Sequence, residues 1–164
     1  MALEKTKLTK EKIIDIVTND YGLLGIIQIN YINRGTSNIF QVIVNDKKYI
    51  LKEFNSKRTI EYIEKEINII NFLSTKGISV PKYIQLKNGE YYTKYQDRII
   101  IMQEFIEGEV LEDNSANYEQ LIKSAKLLGK LIKTLEKYPD LDDEDIINQK
   151  FSKRYLLDAI EKIK

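Results

Sequence analysis

Residues 39–54 read IFQVIVNDKKYILKEF, and the prediction of the fold begins from their pattern. Apolar and polar residues alternate on both sides of Asn45-Asp46-Lys47, which predicts two strands, 39–44 and 49–54. Asn and Asp tolerate left-handed backbone angles and bond their own turn, so the joint between the strands is tight. The stretch therefore predicts an antiparallel pair, and an alternating run over 24–31 predicts a third strand beside it.

Downstream of these strands the sequence predicts one long helix and then more strands. Helix 58–76 carries an apolar stripe at steps of three and four, and Gly77 stands where the helix ends. Asn88-Gly89 is a strong hairpin signal and predicts strands 83–87 and 90–94, followed by a strand at 98–105. Further helices are predicted at 9–19, 115–138 and 151–164. The apolar stripe of the long helix consists of Ile60, Ile63, Ile67, Ile70 and Leu73.

Composition excludes several kinds of site and partner. The chain has 164 residues without Cys, His or Trp, so it offers no zinc site, disulfide, thiol nucleophile or imidazole base. Its 26 Lys and Arg are balanced by 25 Asp and Glu and are scattered, which argues against nucleic acid as a partner. No apolar run approaches the roughly 20 residues of a membrane span, and the amino terminus lacks a secretory pattern. A cytoplasmic protein that binds neither nucleic acid nor membrane is expected.

Lys52 is the first candidate for binding chemistry. Alternation places it on the same strand face as Ile50 and Phe54, where a buried ammonium needs an anionic partner. The other interpretation is a Lys at the rim of the sheet that reaches water along its aliphatic stem. In helix 58–76, Glu66 lies about 50° from the centre of the apolar stripe and therefore points inward. The pattern thus predicts a Lys52–Glu66 ion pair that holds the ammonium where phosphates bind.

The polar turn Gly35-Thr36-Ser37-Asn38 is a second candidate. Glycine permits close backbone approach, and the small polar residues and their amide groups suit phosphate oxygens. By itself, the pattern also fits an ordinary hairpin loop.

Taken together, residues 20–137 resemble the amino-terminal lobe of the aminoglycoside phosphotransferase and choline kinase family, which is itself similar to protein kinases. The glycine and polar residues of the turn, Ile39-Phe40-Gln41-Val42 after it, and the hinge-like stretch 101–108 carry the resemblance. It implies an α+β protein-kinase-like N-lobe, a five-stranded antiparallel sheet with one packed helix, followed by the first helices of a helical C-lobe. The implied division is a nucleotide-binding part, 1–105, and a hinge with the start of the C-lobe, 106–164.

The same resemblance implies that ATP or GTP binds with Mg²⁺. Lys52 would contact the α- and β-phosphates with Glu66 as its helix partner, and the Ser37-Asn38 turn would add phosphate contacts. Adenine would bond backbone groups near the hinge and lie between apolar walls. The implied adenine-binding residues are Gln103 and Phe105 at the hinge, with walls formed by Ile50, Val42 and Met102.

The family's catalytic loop has no counterpart in this sequence. That loop begins with a histidine and carries an Asp and an Asn, and a second metal-binding Asp follows it. Asp143 and Asn148 have a matching separation, but they stand in an acidic run that is read as a solvated charge cluster. We therefore expect no catalytic residue and no metal ligand in this chain, with the Mg²⁺ ligands in a C-lobe that the chain lacks. The expected function is the ATP-binding portion of a small-molecule phosphotransferase, inactive by itself, whose acceptor is an aminoglycoside-, choline- or homoserine-like hydroxyl.

Two other functions remain open at this level. A naturally short, non-catalytic kinase-like module would bind a partner or self-associate through the uncovered apolar face of helix 115–138. Nucleic-acid binding through Lys and Tyr side chains ranks last, because charge is balanced and core packing accounts for the tyrosines.

Overall fold

A computed structural model of the chain describes residues 4–33, 37–112 and 115–139. The predicted helix 151–164, the pair Asp143 and Asn148, and the turn residues Gly35 and Thr36 lie outside the described residues. The elements are, in chain order, α1 Lys10–Asp15 continued by a π-helical turn Ile16–Asp20, β1 Ile27–Ile32, β2 Asn38–Val44, β3 Lys47–Glu53, α2 Ile60–Thr75, β4 Tyr92–Tyr95, β5 Arg98–Glu104 and α3 Tyr118–Leu135.

The five strands form one antiparallel sheet in the order β1-β2-β3-β5-β4. Asn45 and Asp46 form the two-residue joint between β2 and β3 and have φ angles of 47° and 68°. This joint fixes the register of β2 against β3, in which Ile39 is the partner of Lys52 and Gln41 that of Ile50. The predicted α+β fold, an antiparallel five-stranded sheet with a packed helix, is confirmed.

Both faces of the sheet are covered by apolar layers. On one face, α2 packs Ile63 and Ile67 against Phe54, Ile99 and Ile101. On the other face, the amino-terminal helix covers a second buried layer. That layer includes Ile13, Ile16, Val17, Phe40, Val42, Leu51, Ile100 and Met102. Because successive β3 side chains point to opposite faces of the sheet, neighbouring residues of this strand have separate environments.

Local signals explain where α2 begins and ends. The Thr59 hydroxyl accepts a hydrogen bond from the Tyr62 N–H, which satisfies one of the free amides of the first turn. Gly77 follows the helix with φ +69°, an angle that glycine adopts at little cost. The Ile78 N–H then bonds the Leu73 carbonyl at 3.1 Å and closes the helix end. These signals place Glu66 near the middle of α2.

The prediction of a strand at 83–87 is wrong. Only Tyr83 pairs with the sheet, through an isolated bridge to Gln103. Asn88-Gly89 does form a turn, but it closes a short loop in which the Leu86 N–H bonds the Glu90 carbonyl at 2.7 Å. The hairpin of this region is instead β4–β5, which turns through Gln96 at φ 56°. A tight Asn-Gly turn was thus present without two strands long enough to extend it.

The chain divides into two compact units, 1–115 and 116–164. The division after residue 105 into a nucleotide-binding part and the start of a C-lobe stays a prediction. Within the second unit, α3 begins with a capping box. The Asn117 side chain accepts a hydrogen bond from the Gln120 N–H, and the Gln120 side chain accepts one from the Asn117 N–H. Most apolar side chains of α3 are exposed, among them Tyr118, Leu121, Leu128 and Ile132. Among the described residues, none of the helices has the length and apolar character needed to cross a membrane.

Candidate functional site

Lys52 and Glu66 lie together on the α2 face of the sheet. The Lys52 ammonium is 4.0 Å from Glu66 Oε1, and the two side chains are 25% and 29% exposed. Lys52 lies between its cross-strand partners Ile39 on β2 and Ile101 on β5. The ammonium is therefore held among apolar neighbours with one carboxylate beside it, and it retains access to solvent.

Tyr83 is a second partner of Glu66 and was not predicted from the sequence. Its hydroxyl donates a short hydrogen bond to Glu66 Oε1, the same oxygen that faces Lys52. Burial, and then this bond to the carboxylate, raise the pKa of the Tyr83 phenol well above its usual range. At neutral pH, Tyr83 thus keeps its proton and, as a hydrogen-bond donor, fixes the position of the Glu66 carboxylate. The sequence pattern offered no signal for this contact, because Tyr83 reaches Glu66 from an irregular segment.

Ile50, Ile39 and Gln103 share the Lys52 face. Ile50 pairs with Gln41 on one side and with Gln103 on the other, and Ile39 pairs with Lys52. All of these side chains are only partly buried. They form a flat, partly apolar surface next to the ammonium. Ile39 was not among the predicted wall residues, although the two-residue turn at Asn45-Asp46 places it opposite Lys52.

Val42 and Met102 lie on the opposite face, which corrects their predicted place beside Ile50. Both are fully buried in the layer beneath the amino-terminal helix. The register explains this, since Val42 pairs with Tyr49 and Met102 with Leu51, one residue removed from Ile50. Side chains of successive strand residues point to opposite faces, so these two cannot line a surface shared with Lys52.

Asn38 also departs from its predicted role in phosphate binding. It is 2% exposed, and its amide nitrogen donates to Glu53 Oε2 and to the Glu4 carbonyl, each at 3.0 Å. Its amide oxygen accepts from the Tyr31 hydroxyl at 3.3 Å. The Asn38 side chain is therefore committed to contacts within the protein. Ser37, which precedes it, is half-buried and remains at the end of the turn.

The hinge residues lie where β5 ends. The Glu104 N–H donates to the Lys82 carbonyl at 2.9 Å, and the Phe105 N–H to the Lys48 carbonyl at 3.4 Å. The Lys48 ammonium lies 5.4 Å from the centre of the Phe105 ring and 2.6 Å from Glu107. Because the N–H groups of Glu104 and Phe105 are already engaged, a base at this edge would use carbonyls or the N–H groups of later residues.

Two other features of the described residues bear on the site. In these parts of the chain, no three His, Cys, Asp or Glu side chains cluster as a metal ion would require. A surface cavity of about 480 Å³ opens beside β4 and is lined by residues such as Asp20, Lys87 and Tyr92, none of which was predicted for the site. It lies at the edge strand β4, with β5 between it and β3, and its lining includes none of Lys52, Glu66 and Ile50.

The profile of the phosphotransferase enzyme family matches residues 28–163. The chain belongs to this family. Curated proteins provide no match. Solved structures that resemble this chain include an amicoumacin kinase in complex with AMP-PNP, Ca²⁺ and Ami, with a TM-score of 0.68 and 19% identity. A second is a spectinomycin phosphotransferase in complex with ADP and spectinomycin, with a TM-score of 0.59 and 15% identity. A third is a microcompartment-associated aminopropanol kinase, with a TM-score of 0.57 and 14% identity.

These similarities cover most of this chain but only part of each relative. The matches span 82%, 94% and 79% of this chain, against 42%, 55% and 40% of the amicoumacin, spectinomycin and aminopropanol enzymes respectively. The chain thus corresponds to about half of each solved relative. At these identities the comparison establishes that the chain shares the fold of the matched part of these solved structures, and nothing beyond the fold.

Proposed function

We propose that this chain is the nucleotide-binding part of a small-molecule phosphotransferase and that it binds ATP or GTP on the Lys52 face. The observation that carries the proposal is the Lys52 ammonium, 4.0 Å from Glu66 and beside a partly exposed apolar surface. A nucleoside triphosphate needs both a cation for its phosphates and a flat apolar surface for its base.

In the proposed complex, the base lies against Ile39 and Ile50, and Gln103 borders it at the hinge. Lys52 binds the α- and β-phosphates, and Ser37 contacts the phosphates from the turn. Glu66, held by Tyr83, keeps the ammonium from folding away along the sheet. Because a lysine ammonium acts as a point charge, its position matters more for phosphate binding than its orientation.

We also propose that the chain alone does not transfer the γ-phosphate. Phosphoryl transfer depends on positioning and on charge stabilisation by metal ions, and the described residues hold no cluster of metal ligands. In a complete enzyme, the acceptor would be a hydroxyl of an aminoglycoside-, choline- or homoserine-like molecule, and bound Mg²⁺ would neutralise charge on the transferred group.

Calorimetric titration with Mg²⁺–ATP tests the binding site. Wild type is compared with Lys52→Ala and with Lys47→Ala, a matched loss of one positive charge from an exposed position on the other face of the same strand. We expect Lys52→Ala to weaken binding about ten-fold or more, as the loss of one charge-assisted contact does, and Lys47→Ala to leave it unchanged. Equal affinities of wild type and Lys52→Ala would refute the site. A parallel titration with GTP identifies the preferred base.

Incubation with γ-labelled ATP and each acceptor class tests the absence of transfer. We expect no labelled aminoglycoside, choline or homoserine above the level of a blank without protein. Labelled product that depends on Lys52 would show that the chain is catalytically complete.

A second function, self-association, is favoured by the exposed apolar side chains of α3. A monomeric protein rarely leaves an apolar stripe of this kind in water. Sedimentation equilibrium of wild type and Leu128→Asp distinguishes the two cases. A dimer that the substitution dissociates would support self-association, and a wild-type monomer at all concentrations would exclude it.

A further inference from the structure

On the face opposite Lys52, a fully buried carboxylate joins three parts of the chain. Glu53 is 0% exposed and directly follows Lys52 on β3. Its Oε1 accepts from the Lys7 N–H at 3.0 Å, and its Oε2 accepts from the Asn38 amide at 3.0 Å and from the Thr6 hydroxyl. A buried carboxylate with three donors is fully specified in position, since losing any donor leaves a polar group without a partner.

The contacts of Glu53 lie at the point where the polar turn meets the sheet. Asn38 and Glu53 are cross-strand partners and form the last pair of β2 with β3. Ser37 directly precedes Asn38, and Lys52 directly precedes Glu53. The Asn38–Glu53 pair therefore sets the separation between the two residues that the proposed function assigns to phosphate binding.

The amino-terminal segment extends this network to the loop before α2. The Glu4 carbonyl accepts from Asn38, and its carboxylate accepts from the Ser56 N–H and hydroxyl, each at 3.1 Å. Glu4 also pairs with Arg98, a guanidinium that is 5% exposed and donates to the Phe54 carbonyl at 3.4 Å. Residues 4–7 thus connect the start of β2, the end of β3 and the segment that leads to the helix of Glu66.

We infer that Glu53 is a positioning residue for nucleotide binding, which acts by fixing Asn38, and through it Ser37, relative to Lys52. It touches no ligand itself, because its side chain lies on the other face of the sheet. The inference rests on the proposed function and adds to it a network that determines phosphate affinity without contributing to the surface beneath the base.

Glu53→Gln is the informative change. The Gln side chain keeps the shape but replaces one oxygen by an NH₂ group. Whichever way it is oriented, that group faces an N–H donor, of Lys7 on one side or of Asn38 on the other. NMR titration of the ¹⁵N-labelled full chain measures affinities for ATP and for adenosine. We expect the dissociation constant for ATP to rise about ten-fold, and that for adenosine to change less than about two-fold.

The ratio of the two affinities separates positioning from stability. Val17→Ala removes volume from the same buried layer, but Val17 has no side-chain hydrogen bond, so this control should lower both affinities equally or leave both unchanged. If Glu53→Gln behaves like Val17→Ala, the inference is overturned, while a Lys52-dependent ATP affinity leaves the proposed function standing. If Lys52→Ala binds ATP as wild type does, both are overturned.

A milder pair of variants decides the matter if Glu53→Gln does not fold. Thr6→Val is isosteric and removes the hydroxyl, which donates to Glu53 and accepts from the Leu8 N–H, whereas Thr6→Ser retains both contacts. We expect the selective loss of ATP affinity in the Val variant and its recovery in the Ser variant. Equal ATP-to-adenosine ratios in these two proteins would contradict the positioning role.

Discussion

Within the described part of the chain, Glu66 contacts Tyr83 and Lys52, and the structure indicates that the Tyr83 contact contributes more to the stability of the fold than the Lys52 contact does. Tyr83 is buried, and its hydroxyl donates directly to Glu66 Oε1. Loss of a hydrogen bond to a charged group costs about 1.5 kcal/mol at the lower end of the usual range. We use the lower end because Glu66 is 29% exposed. Replacing Tyr83 by Phe should therefore destabilise the first unit by about that amount.

The Lys52–Glu66 pair should contribute less, although it carries two full charges. At 4.0 Å, the Coulomb energy is about 4 kcal/mol for an effective dielectric constant of about 20. The loss of hydration and of side-chain freedom offsets most of this Coulomb energy. Double-mutant cycles on solvent-accessible ion pairs typically give a coupling of about 0.2–1 kcal/mol. The ordering of the two couplings is thus a consequence of burial and direct contact rather than of formal charge.

Two double-mutant cycles measure these couplings. One combines Tyr83→Phe with Glu66→Ala, and the other combines Lys52→Met with Glu66→Ala, each followed by urea denaturation and far-ultraviolet circular dichroism. We expect a coupling of about 1.5 kcal/mol in the first cycle and below about 1 kcal/mol in the second. In 0.5 M salt, only the second should shrink. A Lys52 coupling equal to or above that of Tyr83 would refute this assignment of energies.

Three further predictions concern the fold around the site. Ile63→Ala, at a fully buried position of α2, should lower the free energy of unfolding by about 3 kcal/mol in urea denaturation, and a loss below about 1 kcal/mol would contradict the packing described. Asn45→Ala should cost about 1 kcal/mol or more in the same assay, because alanine disfavours φ 47° and loses both side-chain hydrogen bonds of Asn45, from the Ile26 N–H and to the Leu24 carbonyl. Asn45→Gly should lose only these two bonds, since glycine adopts this angle readily. The pKa of Glu4 is lowered, chiefly by the hydrogen bond from the Ser56 N–H. The ionised Glu4 carboxylate therefore stabilises the fold at neutral pH, and this contribution is lost as the pH falls through the lowered pKa. Melting temperatures of wild type and Glu4→Gln should therefore differ at pH 7 and approach each other as the pH falls below the lowered pKa of Glu4, and a constant difference would disprove the linkage.

The sequence was sufficient to predict the Lys52–Glu66 contact, because two simple periodicities determine it. Alternation along β3 and the helical angle of Glu66 each depend on a few neighbouring residues. The two-residue turn Asn45-Asp46 also determines the register of β2 against β3, so the position of Ile39 beside Lys52 could have been derived from the sequence. The same register would have excluded Val42 from that face.

Other residues of the site could not be predicted in this way. Met102 belongs to β5, and no short turn connects β5 to β3, so its face depends on a long-range pairing that local patterns do not encode. Asn38 resembles a solvent-facing turn residue in sequence, and only its contacts with Glu4 and Glu53 reveal it as buried. Tyr83 depends on an irregular segment that lies beside β5, where no periodicity applies.

Lys52 and Glu53 are consecutive residues whose side chains lie on opposite faces of the sheet. This arrangement restricts insertions and deletions in the part of the gene that encodes β3. Removing or adding one codon within β3 would rotate every later side chain of the strand to the other side, sending an ammonium into a dry layer and a carboxylate toward the proposed phosphates. A substitution in this strand changes one side chain, and its effect depends on that residue. An insertion or deletion of one residue instead moves all the side chains that follow it in the strand to the opposite face. Tolerance of such length changes should therefore be confined to the joints between strands.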